Sequence, residues 1–172
     1  KAMQLKGTGN VMLCFFGDGA AARGDFHEGL NLAAVHKAPV IFICENNLHF
    51  QTAPASVEMA ITDIADRAQG YGFPGVIVDG QDVLAVHETT QEAIDRARQG
   101  NGPTLIEAKT FRMRGHEEAS GTKYIPQELF DKWAKQDPIL KFEKSLSAKK
   151  WFNKKFVAEI DNKIKKLKRK WS

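Results

Sequence analysis

The sequence has few cysteines and no long apolar run, and each shortage excludes a class of protein. No stretch approaches the roughly 18 to 20 apolar residues that span a bilayer, and the first residues lack the apolar core of a signal peptide, so we expect a soluble cytoplasmic protein. The two cysteines, Cys14 and Cys44, lie in apolar runs, which favours reduced core thiols over a disulfide framework or a four-ligand metal site. With 172 residues, 42% of them hydrophobic, the chain is long enough for one main core.

Positive charge is concentrated at the end of the chain. From residue 149 onward there are ten Lys and Arg residues against only Glu159 and Asp161, which accounts for the net charge of +4. Such a run suits nucleic acid or an anionic membrane, but apolar residues recur within it at helical spacing: Phe152, Phe156, Ile160, Ile164, Leu167 and Trp171. This pattern favours an amphipathic helix with a solvated basic face, and we expect neither a nucleic acid nor a membrane as partner.

Apolar runs that predict strands alternate with stretches that predict helices. The expected strands cover residues 11–16, 40–44, 75–78 and 104–109, and the expected helices cover residues 25–38, 60–69, 82–99, 127–135, 138–146 and the basic end. We expect the first strand to be buried on both faces, Asp25 to cap the first helix with Glu28 as capping-box acid, and Asp82 to cap the helix before the last strand. The alternation predicts an α/β fold with a doubly wound parallel sheet and helices on both faces, over residues 1–125, and a helical extension over residues 126–172.

Two polar turns follow neighbouring predicted strands. Gly17-Asp18-Gly19 ends the first strand, and Glu45-Asn46-Asn47 ends the second, one crossover later. Ligands of open parallel sheets bind at the carboxyl ends of the strands. A carboxylate and an amide oxygen suit magnesium, and glycine lets the backbone approach a phosphate. Each turn alone is an ordinary strand end, but the pair at this spacing predicts a magnesium and diphosphate site.

At these residues the sequence resembles the thiamine diphosphate enzymes, whose motif pairs Gly-Asp-Gly with a later Asn-Asn. Over residues 8–146 it also resembles the alpha subunits of 2-oxo acid dehydrogenases that act on pyruvate, branched-chain 2-oxo acids or acetoin. The segments that carry this likeness are residues 17–20, 24–31, 37–40, 71–76, 78–83, 102–107 and 137–139. The resemblance implies the thiamine-diphosphate-binding fold, with thiamine diphosphate and Mg²⁺ as cofactors.

The resemblance also implies roles for individual residues. It makes Asp18 and Asn47 side-chain ligands of magnesium, with the main-chain carbonyl of His49 as a third ligand. Arg112 and His116 correspond to catalytic residues on a loop over the cofactor, and the histidine is also implicated in acyl transfer to a lipoyl group. The diphosphate contacts would come from Gly19 and Ala20. Gly17 joins them as a cofactor-binding residue because a glycine there lets the backbone approach the phosphate.

The activity implied by the resemblance belongs to a complex. It is the oxidative decarboxylation of a 2-oxo acid with reductive acylation of a lipoyl domain, which makes the protein an oxidoreductase. The partners implied are a beta subunit or beta region, which supplies the glutamate that activates the cofactor, and a lipoyl-bearing acyltransferase, within a hetero- or homo-oligomer. Because no such glutamate is recognisable here and the family has a substantial stretch before residue 7, we expect a fragment that is inactive alone.

Several residues depart from the family pattern. Gly115-His116-Glu117 replaces the usual Gly-His-Ser, and Ser120-Gly121 replaces an acidic pair, which argues against kinase control and favours bacterial versions with fused alpha and beta regions. Glu45 would repel a diphosphate unless it is turned away. Pyruvate, branched-chain and acetoin-type substrates all stay open. The alternative from another class is a non-catalytic α/β module that contacts a partner or nucleic acid through its basic tail.

Overall fold

The computed structural model describes residues 1–50, 53–117, 119 and 121–171. In chain order its helices and strands are α1 (Ala2–Leu5), β1 (Met12–Gly17), α2 (Gly24–Val35), β2 (Val40–Asn46), β3 (His49–Phe50), β4 (Ala53–Pro54), α3 (Ala55–Glu58), α4 (Arg67–Gly70), β5 (Gly75–Asp79), α5 (Val83–Arg98), β6 (Thr104–Lys109), α6 (Gln127–Ala134), α7 (Pro138–Ala148) and α8 (Lys154–Trp171). The chain divides into two compact units, Lys1–Lys135 and Gln136–Ser172. The division into domains at residue 125 remains a prediction.

Four strands of the first unit form a parallel sheet in the order β1-β2-β6-β5. The register pairs Gly17 with Glu45 and Glu45 with Ala108, so the carboxyl ends of β1, β2 and β6 lie at one edge of the sheet. Helices lie between successive parallel strands because a parallel connection has to return along the length of the sheet. The parallel α/β sheet predicted from the sequence is confirmed.

Helices cover both faces of this sheet. On one face Leu30 of α2 packs in a cluster with Phe42 of β2 and Leu105 of β6. On the other face Ala93 of α5 packs in a cluster with Ile41 of β2. Because side chains alternate along a strand, β2 and β6 contribute residues to both clusters. The two central strands therefore carry the core.

The first strand differs from its prediction. Leu13 and Phe15 of β1 are 40% and 59% exposed, and Cys14 is exposed as well. Burial of this strand on both faces is therefore wrong for the described residues, and so is the expectation that both cysteines are core thiols. The reason is topological: β1 is an edge strand, paired only with β2 in the described part of the chain.

Two helix predictions also need correction. Helix α2 begins at Gly24, before Asp25, so Asp25 lies in the first turn instead of at the cap, and Arg23 at the cap position makes no side-chain capping bond. Residues 60–63 are not helical, and the segment turns helical only with a 3₁₀ turn over Ile64–Asp66, followed by α4. Helix α5, by contrast, is capped as predicted, since Asp82 accepts hydrogen bonds from two backbone amides.

The second unit consists of α7 and α8. Asp137 caps α7 by accepting hydrogen bonds from the amides of Ile139 and Leu140. The predicted amphipathic helix at the basic end is α8, and its apolar residues are partly exposed: Phe156, Ile160, Ile164 and Leu167. The side chain of Trp171, which was predicted to share this stripe, lies outside the described residues. Nowhere in the described part of the chain is there a helix that is both long and apolar enough to cross a membrane.

Candidate active site

A cavity of about 670 Å³ lies at the carboxyl ends of the strands in the first unit. Its lining residues are Gly17, Asp18, Gly19, Ala20, Ala22, Arg23, Asn47, His49, Ala53, Glu58, Arg112 and His116. All eight residues that the sequence analysis assigned to the site are among them. The structure thus brings segments from three parts of the chain together around one space.

Asp18 is the most unusual polar group of this cavity. It follows β1 directly and is only 2% exposed, and its Oδ2 atom has no hydrogen-bond partner among the described residues. Burial raises the pKa of this carboxyl, although the backbone amides of Asp18 and Gly19 and the charges of Arg112 and His49 offset part of the effect. A buried carboxylate oxygen without a partner is costly, and a bound cation would satisfy it.

The backbone after β1 forms a tight turn beside the cavity. Gly17 is extended and precedes a 3₁₀ turn over Asp18–Ala22, so that α2 begins only at Gly24. The backbone at the cavity therefore belongs to the 3₁₀ turn and not to α2. A Cβ added to Gly17 would meet no atom within 4 Å, which means that open space adjoins the backbone here.

The end of β2 is shaped by two successive asparagine turns. The Oδ1 atom of Asn46 accepts a hydrogen bond of 2.9 Å from the amide of Leu48, and Oδ1 of Asn47 accepts one of 3.1 Å from the amide of His49. Leu48 lies in both of these overlapping turns and has a φ of 69°, in the left-handed region that a leucine seldom adopts. Asn46 is buried behind the cavity, whereas Asn47 and His49 line it. The two asparagines of the motif thus have different positions and different partners.

Sequence reasoning missed the partner of Asn46, which is Glu107 in the middle of β6. Glu107 is fully buried, and its Oε1 atom lies 2.6 Å both from Nδ2 of Asn46 and from Nζ of Lys109. Its Oε2 atom accepts a hydrogen bond of 2.8 Å from the amide of Ala65, and Lys109 also lies 2.8 Å from Asp63. A glutamate within an apolar predicted strand was a usable signal, because a buried charge requires partners.

Lys109 provides the positive charge of this network. Burial opposes its charge, but hydrogen bonds to Asp63 and Glu107 and the charges of both acids outweigh that effect and raise the pKa of Lys109. The lysine therefore stays protonated and compensates the carboxylate of Glu107. The network reaches the site through Asn46, which is hydrogen-bonded to Glu107 and directly precedes Asn47.

The loop after β6 brings Arg112 and His116 together. The Nη1 atom of Arg112 lies 3.4 Å from Nδ1 of His116, and Nη2 of Arg112 donates a hydrogen bond of 3.1 Å to the hydroxyl of Tyr124. The ring of Tyr124 in turn contacts the ring of His49. Tyr124 was not singled out from the sequence, although it connects the loop to the asparagine turns. Ser120, one of the residues that depart from the family pattern, lies outside the described residues.

Glu45 faces away from the cavity. Along β2, Ile41 and Ile43 pack against the α5 face, and alternation places Glu45 on that same side, where it is exposed. It is absent from the described residues that line the cavity. The repulsion of a diphosphate that this residue raised in the sequence analysis is therefore avoided by its orientation.

Two further residues that line the cavity carry charged side chains and were not assigned to the site from the sequence. Arg23 and Glu58 bring charges of opposite sign to the rim, and Arg23 also lies 3.7 Å from the exposed Asp25. Among the described residues, no group of three or more His, Cys, Asp or Glu side chains is placed to hold a metal by itself. A cation at Asp18 would therefore need amide, main-chain and ligand oxygens, which are the donors that magnesium accepts.

Comparison with known proteins agrees with this arrangement. The sequence is 44% identical over 162 residues to the alpha subunit of acetoin:2,6-dichlorophenolindophenol oxidoreductase from Bacillus subtilis, covering 94% of this chain and 48% of that relative. It is 40% identical over 166 residues to the alpha subunit of the pyruvate dehydrogenase E1 component from Staphylococcus aureus, covering 95% and 45%. It is 46% identical over 129 residues to the alpha subunit of 2-oxoisovalerate dehydrogenase from Bacillus subtilis, covering 74% and 39%.

The chain spans less than half the length of these curated relatives. Within that span the likeness is nearly continuous, because the model of the dehydrogenase E1 component family matches residues 1–168. The parallel sheet and the cavity at its carboxyl edge lie inside the matched region. This chain belongs to the dehydrogenase E1 component family.

Proposed function

We propose that this chain forms the magnesium and thiamine diphosphate binding region of the decarboxylating component of a 2-oxo acid dehydrogenase complex, within its alpha subunit or alpha region. The observation that carries the proposal is the buried carboxylate of Asp18, with one oxygen unpartnered among the described residues, at a cavity that Asn47 and His49 also line. A hard cation supplies what that oxygen lacks.

The donor set fits magnesium. Asp18 would contribute a carboxylate oxygen, Asn47 its amide oxygen and His49 its main-chain carbonyl. The oxygen of Asn47 already accepts one hydrogen bond, from the amide of His49, and a carbonyl oxygen has a second lone pair for a cation. Magnesium takes about six oxygen ligands, so diphosphate oxygens and water would complete the coordination.

The backbone of the 3₁₀ turn would hold the diphosphate. Gly17, Gly19 and Ala20 line the cavity with little side-chain bulk, which leaves main-chain amides close to a bound anion. Arg23 at the rim brings a positive charge to the same end of the cavity. When bound, thiamine diphosphate supplies the carbon centre that attacks the 2-oxo group and takes up the charge left by decarboxylation.

Arg112 and His116 would act on the acyl group. Arg112 donates toward Nδ1 of His116, which favours the neutral tautomer that carries its proton on Nε2. In this arrangement the Nε2–H of the ring can donate a hydrogen bond to the lipoyl sulfur that leaves the disulfide as a thiolate when the other sulfur takes up the acyl group, and Arg112, anchored on Tyr124, keeps the ring in place. His116→Ala should therefore reduce lipoyl-dependent turnover more than cofactor binding, and equal losses in both assays would indicate a structural histidine.

The partners of the proposed enzyme are a beta subunit or beta region and a lipoyl-bearing acyltransferase, in a bacterial cytoplasmic setting. The named relatives support this proposal because each is described as an alpha subunit. Their names specify acetoin, pyruvate and 2-oxoisovalerate at similar identities, so they support a class of substrate without selecting a member.

The test uses the complete protein together with its beta region. Thiamine diphosphate binding is titrated at increasing magnesium, and turnover is then measured with pyruvate, 2-oxoisovalerate and acetoin. We expect magnesium-dependent binding and turnover of one of the three substrates. Absence of magnesium-dependent binding would refute the proposal and favour a non-catalytic module that uses the basic helix α8.

A further inference from the structure

Glu107 is a fully buried carboxylate that does not line the cavity in the described part of the chain. It lies in β6, between apolar neighbours that form the core on both faces of the sheet. Removing a carboxylate from water is expensive even when it is paired, and an apolar residue at such a position is often as stable. The contacts of Glu107 therefore need an explanation other than core stability.

The contacts converge on the turn at the end of β2. Asn46 donates its Nδ2 to Glu107 at 2.6 Å and accepts from the amide of Leu48 with its Oδ1 at 2.9 Å. Because one end of the amide group is held by a carboxylate, which only accepts, the other end must present its oxygen to Leu48. Glu107 thus determines the orientation of Asn46, and Asn46 holds Leu48 in its left-handed conformation.

We propose that Glu107 is a positioning residue for the cation: acting through Asn46, it fixes the turn so that the Asn47 side chain and the His49 carbonyl face the cation beside Asp18. The inference rests on the proposed function, because it concerns the same cation. Residues that hydrogen-bond to metal ligands commonly orient those ligands, and their loss typically lowers metal affinity by about 10- to 100-fold.

A purely structural role is the competing explanation. Glu107 also accepts from the amide of Ala65 and pairs with Lys109, so it ties the segment before α4 to the sheet. If that were its whole purpose, replacing it would lower thermal stability and leave the magnesium requirement of the folded protein unchanged. The two explanations therefore differ in magnesium affinity, which is measurable apart from activity.

Glu107→Gln tests the orientation of Asn46. A glutamine has one oxygen and one NH₂ group, so it cannot accept from both Asn46 and the amide of Ala65. Either the amide of Ala65 loses its acceptor, or Asn46 rotates and the amide of Leu48 loses its own. Asn46→Ala removes the acceptor of the Leu48 amide directly and leaves Glu107 in place. Where the Leu48 amide loses its acceptor, we expect the magnesium concentration for half-saturation of cofactor binding to rise by about ten-fold or more.

A reciprocal exchange provides the rescue. In the double variant N46D/E107Q, the new aspartate accepts both from the glutamine NH₂ group and from the amide of Leu48, while the glutamine oxygen accepts from the amide of Ala65. Lys109 loses its acceptor on residue 107, where the glutamine NH₂ group now lies, but keeps its contact with Asp63. We expect half-saturation in the double variant to return to within about three-fold of the wild type, since residues in one network couple.

Leu105→Ala is the matched control for lost stability. Leu105 is fully buried and precedes Glu107 by two residues in β6, and its side chain packs in the apolar cluster with Leu30 and Phe42. All variants are made in the complete protein with its beta region. Half-saturating magnesium is measured by cofactor titration, and melting temperature is measured without cofactor. Leu105→Ala should melt earlier and bind magnesium like the wild type.

The outcomes separate this inference from the proposed function. Wild-type protein that shows no magnesium-dependent binding would refute both. Wild-type binding together with unchanged half-saturation in both Glu107→Gln and Asn46→Ala would overturn the inference alone. If Glu107→Gln does not fold, Asn46→Ala decides: a rise of about ten-fold in its half-saturating magnesium supports the inference, and an unchanged value overturns it.

Discussion

The strands β1 and β2 have similar sequences and opposite environments. Both are apolar runs with a cysteine inside them, Met-Leu-Cys-Phe-Phe-Gly and Val-Ile-Phe-Ile-Cys-Glu-Asn. Ile41 of β2 is fully buried, whereas Leu13, its register partner in β1, is 40% exposed. The difference arises from the order of strands, because β2 lies between β1 and β6 and β1 lies at an edge. An apolar run therefore predicts a strand, but its burial depends on neighbours that are distant in sequence.

The relation reverses at the carboxyl ends of the same strands. The exposed strand β1 leads into the buried Asp18, and the buried strand β2 contains the exposed Glu45 near its end. Of these two acidic residues at adjacent strand ends, Asp18 lines the cavity, whereas Glu45 is not among the described residues that line it.

The largest effect is expected for Asp18→Ala in the complete enzyme. No other carboxylate among the described residues shares its buried place at the end of β1, so loss of this oxygen ligand should weaken magnesium-dependent cofactor binding by more than about a hundred-fold. Calorimetric titration with thiamine diphosphate at fixed magnesium measures this loss. Asp25→Ala, which removes an exposed acid nearby, serves as control and should bind normally. Retained affinity in Asp18→Ala would disprove the assigned ligand.

The next effect concerns stability, with the matched pair Ile41→Ala and Leu13→Ala in the 172-residue chain. Truncation of a buried isoleucine typically lowers the free energy of unfolding by about 2–5 kcal/mol. Truncation of the partly exposed Leu13 should lower it by roughly 1 kcal/mol or less. Denaturant unfolding of both variants measures the difference. Equal losses would mean that another surface covers β1 in solution. Self-association through the apolar face of β1 would have this effect, and sedimentation analysis would then detect the larger species.

A smaller and simpler contrast is expected between the two thiols. Cys14 is exposed, whereas Cys44 is buried, and its burial, reinforced by the charges of Glu107 and Asp18, raises the pKa of the Cys44 thiol. Thiolate is the reactive form, so Cys14 should react with a disulfide reagent at least about a hundred-fold faster than Cys44 in the native chain. Reagent absorbance reports one thiol before denaturation and two afterwards. Two fast thiols would contradict the central position of β2.

The smallest effect is expected for Glu45→Gln. Because Glu45 lies on the face of β2 away from the cavity, removing its charge should change cofactor affinity by less than about two-fold at ordinary ionic strength. The same calorimetric titration measures it, with Asp18→Ala as the opposite extreme. A marked gain in affinity would show that this carboxylate does repel the diphosphate, and its orientation would need revision.

Much of the site followed from the sequence because its residues occupy the ends of strands. Asp18 and Asn47 each follow a recognisable apolar run, and parallel topology sends both to one edge of the sheet. Glu107 was missed, since nothing local reveals that its partner is Asn46, 61 positions away. Tyr124 was missed for the same reason, because its role depends on where the loop from β6 returns.

The sequence by itself determined the alternation of strands and helices, the parallel sheet and the convergence of the polar turns. Local periodicity and the geometry of strand-helix-strand connections are sufficient for these features. Only the tertiary structure decided that β1 lies at an edge, that Glu45 turns away and that Glu107 orients Asn46. These features depend on which strands become neighbours and on how buried polar groups find partners, and both are set by contacts between residues far apart in the chain.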